Sequence, residues 1–77
     1  MMDVIIPADL WGEDGDAVIA TWLFKSGELV SLGAVLAEIM YEKASMEVIS
    51  PGAGRLAILV EAESPVRQGQ LIARIEI

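Results

Sequence analysis

Two places in this chain carry residue types that could do chemistry: the lone amine of Lys43, and the carboxylates of "WGEDGD" at residues 11–16. Lys43 sits in "AEIMYEKASMEVISPGAG" (37–54), between two apolar runs, where a tight turn would lift it clear of the rest. The acidic stretch offers oxygen ligands of the kind Ca²⁺ or Mg²⁺ prefers, but it lacks EF-hand spacing and the terminal glutamate, so it reads as a solvated loop. Histidine and cysteine are absent. The chain therefore lacks the commonest general acid/base, a thiolate nucleophile, a cysteine metal site and a disulfide framework. No constellation for a free-standing hydrolase or transferase is present.

The elements that must position Lys43 belong to one small domain, residues 1–77, with room for a single modest core. Apolar residues make up 55%, too many for a disordered segment. Twelve acids against five bases give a net charge of −7, which repels phosphate backbones and favours partners with a basic face. Neither nucleic acid nor membrane is expected as a partner: apolar runs such as Val18 to Phe24 are too short to cross a bilayer. The opening "MMDVII" shows no signal-peptide pattern, so a cytoplasmic or, in a eukaryote, mitochondrial matrix location is the expectation.

An internal repeat organises the chain. Residues 22–39, "WLFKSGELVSLGAVLAEI", align without gaps on 58–75, "ILVEAESPVRQGQLIARI". Leu23, Val30, Gly33, Ala37 and Ile39 meet Leu59, Val66, Gly69, Ala73 and Ile75. Each copy reads as strand, polar turn, short strand, glycine turn, strand, with first strands at Val18–Phe24 and Arg55–Val60. The expected fold is all-β: two similar antiparallel layers packed face to face as a flattened barrel or sandwich with quasi-twofold symmetry, the halves meeting at residues 40–50. Trp22, whose repeat partner is Ile58, is assigned to the core, and Pro51, Gly52 and Gly54 to the turn into the second half.

If the chain reverses at Glu42-Lys43, Tyr41 faces Ala44, Ile39 faces Met46, Glu38 faces Glu47 and Ala37 faces Val48. Ile39, Met46, Ala37 and Val48 then form an apolar set. Glu38 and Glu47 oppose each other on a solvated face and, with Glu42, are expected to form an acidic collar around the lysine stem. The tip lacks the Asn or Gly that two-residue hairpins prefer, and Glu-Lys suits a type I turn better. Spacing and composition alone make Lys43 a solubilising turn residue.

The wider pattern shifts that weighting. "EKASMEVISPGAG" resembles the attachment segment of the lipoyl domains of 2-oxo acid dehydrogenase complexes. "VIIPADLWGEDGDAVIATWLFKSGELVSLGAVLAEI" and "SPGAGRLAILVEAESPVRQGQLIARIEI" resemble that family's two halves, so the likeness covers nearly the whole chain. The chain departs from the family in having Glu42 where Asp is usual, and in lacking the common glycine in "EAESPV".

The resemblance implies lipoic acid attached covalently to Lys43, within a turn formed with Glu42 and Ala44. It implies a non-catalytic swinging-arm carrier whose redox chemistry belongs to the cofactor. The implied partners are a lipoate ligase or lipoyl transferase, a thiamine diphosphate-dependent dehydrogenase, an acyltransferase core and dihydrolipoamide dehydrogenase. The loop 8–16 corresponds to a surface loop near the lysine hairpin, so Trp11, Glu13 and Asp14, with Glu38 and Glu47, are candidates for partner recognition. Trp11 reads equally as an anchor or as packing over the sandwich edge. Edge packing is preferred over contact with the attached ring for Met40 and Tyr41.

Three other readings stay in view. A biotin carrier shares the fold, but places methionine on both sides of its lysine, where this chain has Glu42 and Ala44. The glycine-cleavage carrier has a longer chain. An unmodified lipoyl-like adaptor would need no chemistry at Lys43.

Overall fold

The computed structural model describes residues 1–7 and 15–77. It places eight strands: β1 (Met2–Ile5), β2 (Ala17–Trp22), β3 (Leu29–Val30), β4 (Val35–Tyr41), β5 (Ala44–Ile49), β6 (Gly54–Ile58), β7 (Pro65–Val66) and β8 (Leu71–Glu76). The described residues include no helix. The strands form two four-stranded antiparallel sheets, ordered β1-β8-β6-β3 and β5-β4-β2-β7. This is the expected all-β sandwich.

The two layers are not the two sequence copies. Each copy sends its short strand across: β3 pairs with β6 of the second half, and β7 pairs with β2 of the first. The first strands accordingly end earlier than apolar runs alone suggest. Leu23 N–H donates to Leu36 O, and the N–H groups of Leu59 and Val60 both donate to Ile72 O, as the backbone leaves the ladder to cross over. Further hydrogen bonds repeat in matching pairs. Gly27 N–H reaches Leu56 O and Leu56 N–H reaches Glu28 O; Glu63 N–H reaches Ile19 O and Ile19 N–H reaches Ser64 O. The quasi-twofold relation is thus built into the backbone.

Two kinds of bulge adjust the pleat. The β2–β4 ladder skips Ala20, and the β4–β5 and β1–β8 ladders skip Leu36 and Ile72. An extra residue breaks the alternation of sides. That is why the neighbours Leu36 and Ala37, and likewise Ile72 and Ala73, all turn inward.

Between the sheets lie Val4, Ile6, Ile19, Val30, Leu36, Ile39, Val48, Leu56, Val66, Ile72 and Ile75 with three alanines, every one at most 5% exposed. Branched aliphatics suit a thin two-layer core because they fill a pleated surface at little rotamer cost. Trp22 is half-buried at the margin of this cluster rather than inside it. Its indole Nε1–H donates to Val60 O at 3.0 Å, a polar demand that holds the ring at the edge. The buried hydroxyl of Ser50 donates to Gly52 O at 2.6 Å, closing the turn before β6.

Candidate functional site

The β4–β5 hairpin has the register read from sequence. Ala37 faces Val48, Glu38 faces Glu47, Ile39 faces Met46, Met40 faces Ser45 and Tyr41 faces Ala44, leaving Glu42 and Lys43 as the turn. Ala37, Ile39 and Val48 are buried and Met46 half-buried, so one face anchors the hairpin in the core. Glu42, Lys43 and Ala44 are exposed. Among the described residues Lys43 makes no ion pair.

The turn differs from the type I expectation. Glu42 has φ +54°, whereas Lys43 does not adopt a positive φ. Type I carries negative φ at both central positions; a left-handed first position belongs to the turns whose twist matches that of paired strands. The ladder's demand overrides the preference of glutamate. The quasi-equivalent strain recurs elsewhere: Glu63, at φ +69°, fills the left-handed position that Gly27, at φ +95°, fills in the first copy.

Glu38 and Glu47 do not form a collar around the lysine stem. They stand four residue pairs below the turn, about 13 Å along the strands. Met40 and Ser45 intervene on the same outward face.

Other residues assemble beside the tip. Val18 pairs with Met40 and Ala17 with Val66, which brings Asp16 and Arg67 level with the turn. Arg67 Nε and Asp16 Oδ1 are 3.4 Å apart on an exposed surface. With Gly15 and Gln68 they line an open hollow of about 370 Å³. A Cβ built on Gly15 would lie 3.7 Å from Cε1 and Oη of Tyr41, so this end of the loop packs against the hairpin. Asp16, Arg67 and Gln68 carry no sequence signal; only strand exchange brings β7 to this side. Trp11, Glu13 and Asp14 lie outside the described residues, as does most of the acidic "WGEDGD" stretch.

The arrangement suits a covalently attached group. A primary amine at the apex of an exposed, core-anchored hairpin can become an amide without displacing a neighbour. Two sheets built on one quasi-twofold, with such a lysine at a hairpin tip, are the arrangement expected of a cofactor-carrier domain.

Comparison with known proteins agrees. Residues 5–75 match the Biotin_lipoyl family model, described as "Biotin-requiring enzyme". A curated relative, the dihydrolipoyllysine-residue acetyltransferase component of the pyruvate dehydrogenase complex of Zymomonas mobilis, is 43% identical over 60 residues. That match covers 75% of this chain and 14% of the relative, so the chain spans a small part of it. The solution structure of the lipoyl domain of the 2-oxoglutarate dehydrogenase complex from Azotobacter vinelandii has a TM-score of 0.78 at 27% identity, covering all of this chain and 98% of that one. The chain belongs to the biotin/lipoyl attachment family. Within that family it is a non-catalytic, lipoyl-type carrier domain.

Proposed function

We propose that Lys43 is the attachment point for lipoic acid and that this domain serves a 2-oxo acid dehydrogenase-type complex as its swinging arm. One observation carries the assignment: Glu42-Lys43 forms the exposed apex of a hairpin whose inner face is fixed in the core. When attached, the lipoyl group supplies a dithiolane that accepts electrons and acyl groups. The chain's own residues do the presenting. Ile39, Ala37 and Val48 clamp the hairpin, the left-handed Glu42 sets the turn, and Lys43 projects from it.

The partners in this reading are a lipoate ligase or lipoyl transferase, a thiamine diphosphate-dependent dehydrogenase, the acyltransferase core and dihydrolipoamide dehydrogenase, in the cytoplasm or mitochondrial matrix. Tethering raises the arm's effective concentration at each active site, so weak docking suffices. Recognition is assigned to Glu38, Glu47 and Glu42 on the hairpin and to Trp11, Glu13 and Asp14 in the loop. The packing of Gly15 against Tyr41 supports a loop that ends beside the tip. Amidation removes the Lys43 charge and sharpens the negative surface, which steers the tip towards basic entrances.

Co-expression with lipoate ligase, read by intact mass, tests the assignment. One added lipoyl group, lost in Lys43→Ala, is the expected result. Biotin incorporated by a biotin ligase would move the chain to the biotin carriers, and no modification by either enzyme would leave the unmodified adaptor.

A further inference from the structure

The outward faces of the two sheets share a backbone but differ in chemistry along one row. In the sheet of β1, β8, β6 and β3, one row reads Glu76, Arg55, Leu29 across three strands. The same row in the lysine-bearing sheet reads Met40, Val18, Pro65. The fold therefore accepts a charged pair where this sheet places methionine and valine, each 40% exposed. Pro65 is exposed beside them. The row lies two residues below the turn, about 7 Å along the strands, and crosses about 10 Å of sheet. Its borders are polar: the Asp16–Arg67 ion pair on the tip side and the Glu38–Glu47 pair on the other.

We infer that Met40, Val18 and Pro65 form a resting ledge for the acyl arm carried by Lys43. The inference rests on the proposed lipoylation and adds what the arm does between partners. The amide-linked arm has no charge; it is an apolar chain ending in a polarisable disulfide. Beside the turn the ledge is an exposed apolar row that matches it, and the Met40 thioether is a soft contact for sulfur. The lysine stem and the acyl chain beyond it together outreach the row. Because the arm is tethered, a contact far too weak to hold free lipoamide fills the ledge and still releases readily. Polar borders on both sides hold the arm to one track.

Backbone amide NMR of the ¹⁵N-labelled domain, with modification verified by mass, reads the ledge directly. Lipoylation is expected to shift the amides of Met40, Val18 and Val66, and to leave Arg55, Arg74 and Glu76 of the opposite sheet unmoved. The double variant Val18→Arg with Met40→Glu copies the charged pair of the other sheet. It should fold, accept the lipoyl group and lose the shifts at residues 17–19 and 66. If the ligase leaves Lys43 bare, a lipoamide-like arm is attached through a thioether to Lys43→Cys, so that failure of lipoylation and failure of the ledge are told apart. Shifts confined to residues 42–45, or an unchanged pattern in the double variant, overturn the inference. So does a pattern that appears only when the dehydrogenase is added, which would make the row a docking surface for that enzyme.

Discussion

Glu38 and Glu47 stand directly opposite each other on the outer face of the lysine-bearing sheet, at the positions that Arg74 and Asp3 occupy in the other sheet. There the pair attracts, with Arg74 Nε 3.4 Å from Asp3 Oδ1. Here two carboxylates repel. Opposed like charges cost stability, and the equivalent position in the other sheet shows that the fold accommodates an ion pair there.

Glu47→Arg should therefore stabilise the domain by about 0.2–1 kcal/mol. It should also slow turnover of the lipoylated domain by its cognate dehydrogenase and flatten the dependence of that rate on ionic strength. Thermal melts and rates at low and high salt check both. A wild-type rate indifferent to ionic strength would remove the steering proposal.

The two left-handed glutamates lead to a stability prediction. A non-glycine residue there costs about 1–2 kcal/mol, against which glycine loses up to about 1 kcal/mol through the unfolded chain. Glu63→Gly should gain roughly 0.5–1 kcal/mol, a rise of about 2–8 °C in Tm for a domain of this size. Glu42→Asn should gain a similar or smaller amount, since asparagine tolerates the left-handed region better than glutamate. Modification of Lys43 in Glu63→Gly should remain at the wild-type level, because that turn meets the hairpin only through β2 and leaves the Glu42–Lys43 apex untouched.

Gly54 and Gly52 should respond differently to alanine. A Cβ on Gly54 would collide with the backbone oxygen of Glu76 and lie 2.8 Å from Ile75 Cγ2. Backbone cannot swing aside, so Gly54→Ala should cost about 3 kcal/mol. A Cβ on Gly52 meets only the end of the Met2 side chain, which has rotamers to spare. Gly52→Ala should cost less than about 1 kcal/mol. Denaturant titration of the two variants makes the comparison.

Trp22→Phe keeps most of the apolar contact but leaves Val60 O without the indole donor. The expected loss is about 1–2 kcal/mol, measured by chemical denaturation. A change within about 0.3 kcal/mol would mean that water replaces the indole donor freely.

The hairpin was legible in the sequence because its signals are local. Period-two burial of Ala37, Ile39, Met46 and Val48 about a short polar turn admits one register. The repeat was legible too, but a gap-free alignment stops at Trp22. The bulge at Ala20 shifts the equivalences by one residue, so that Val18 corresponds to Arg55 and Ile19 to Leu56. That single residue hides the contrast between the two outer faces. The exchange of β3 and β7 was not legible, because two-residue strands carry no periodicity of their own. The hollow beside the tip depends on that exchange, so Arg67 and Gln68 stayed invisible. The acidic collar failed for a simpler reason: closeness in sequence to a hairpin tip overlooks the rise of the strands.

Lys43 is set apart by its place at a hairpin apex, since Lys25 is an exposed lysine beside a turn as well. The Lys25 turn is held by its own N–H bonded to Glu28 Oε1 at 2.8 Å, with no two-stranded ladder beneath it. Peptide mapping of the domain after incubation with lipoate ligase and lipoate measures the choice. Lipoyl on Lys43 alone, with Lys25 bare, is the predicted result; lipoyl on Lys25, or on neither lysine, would contradict it.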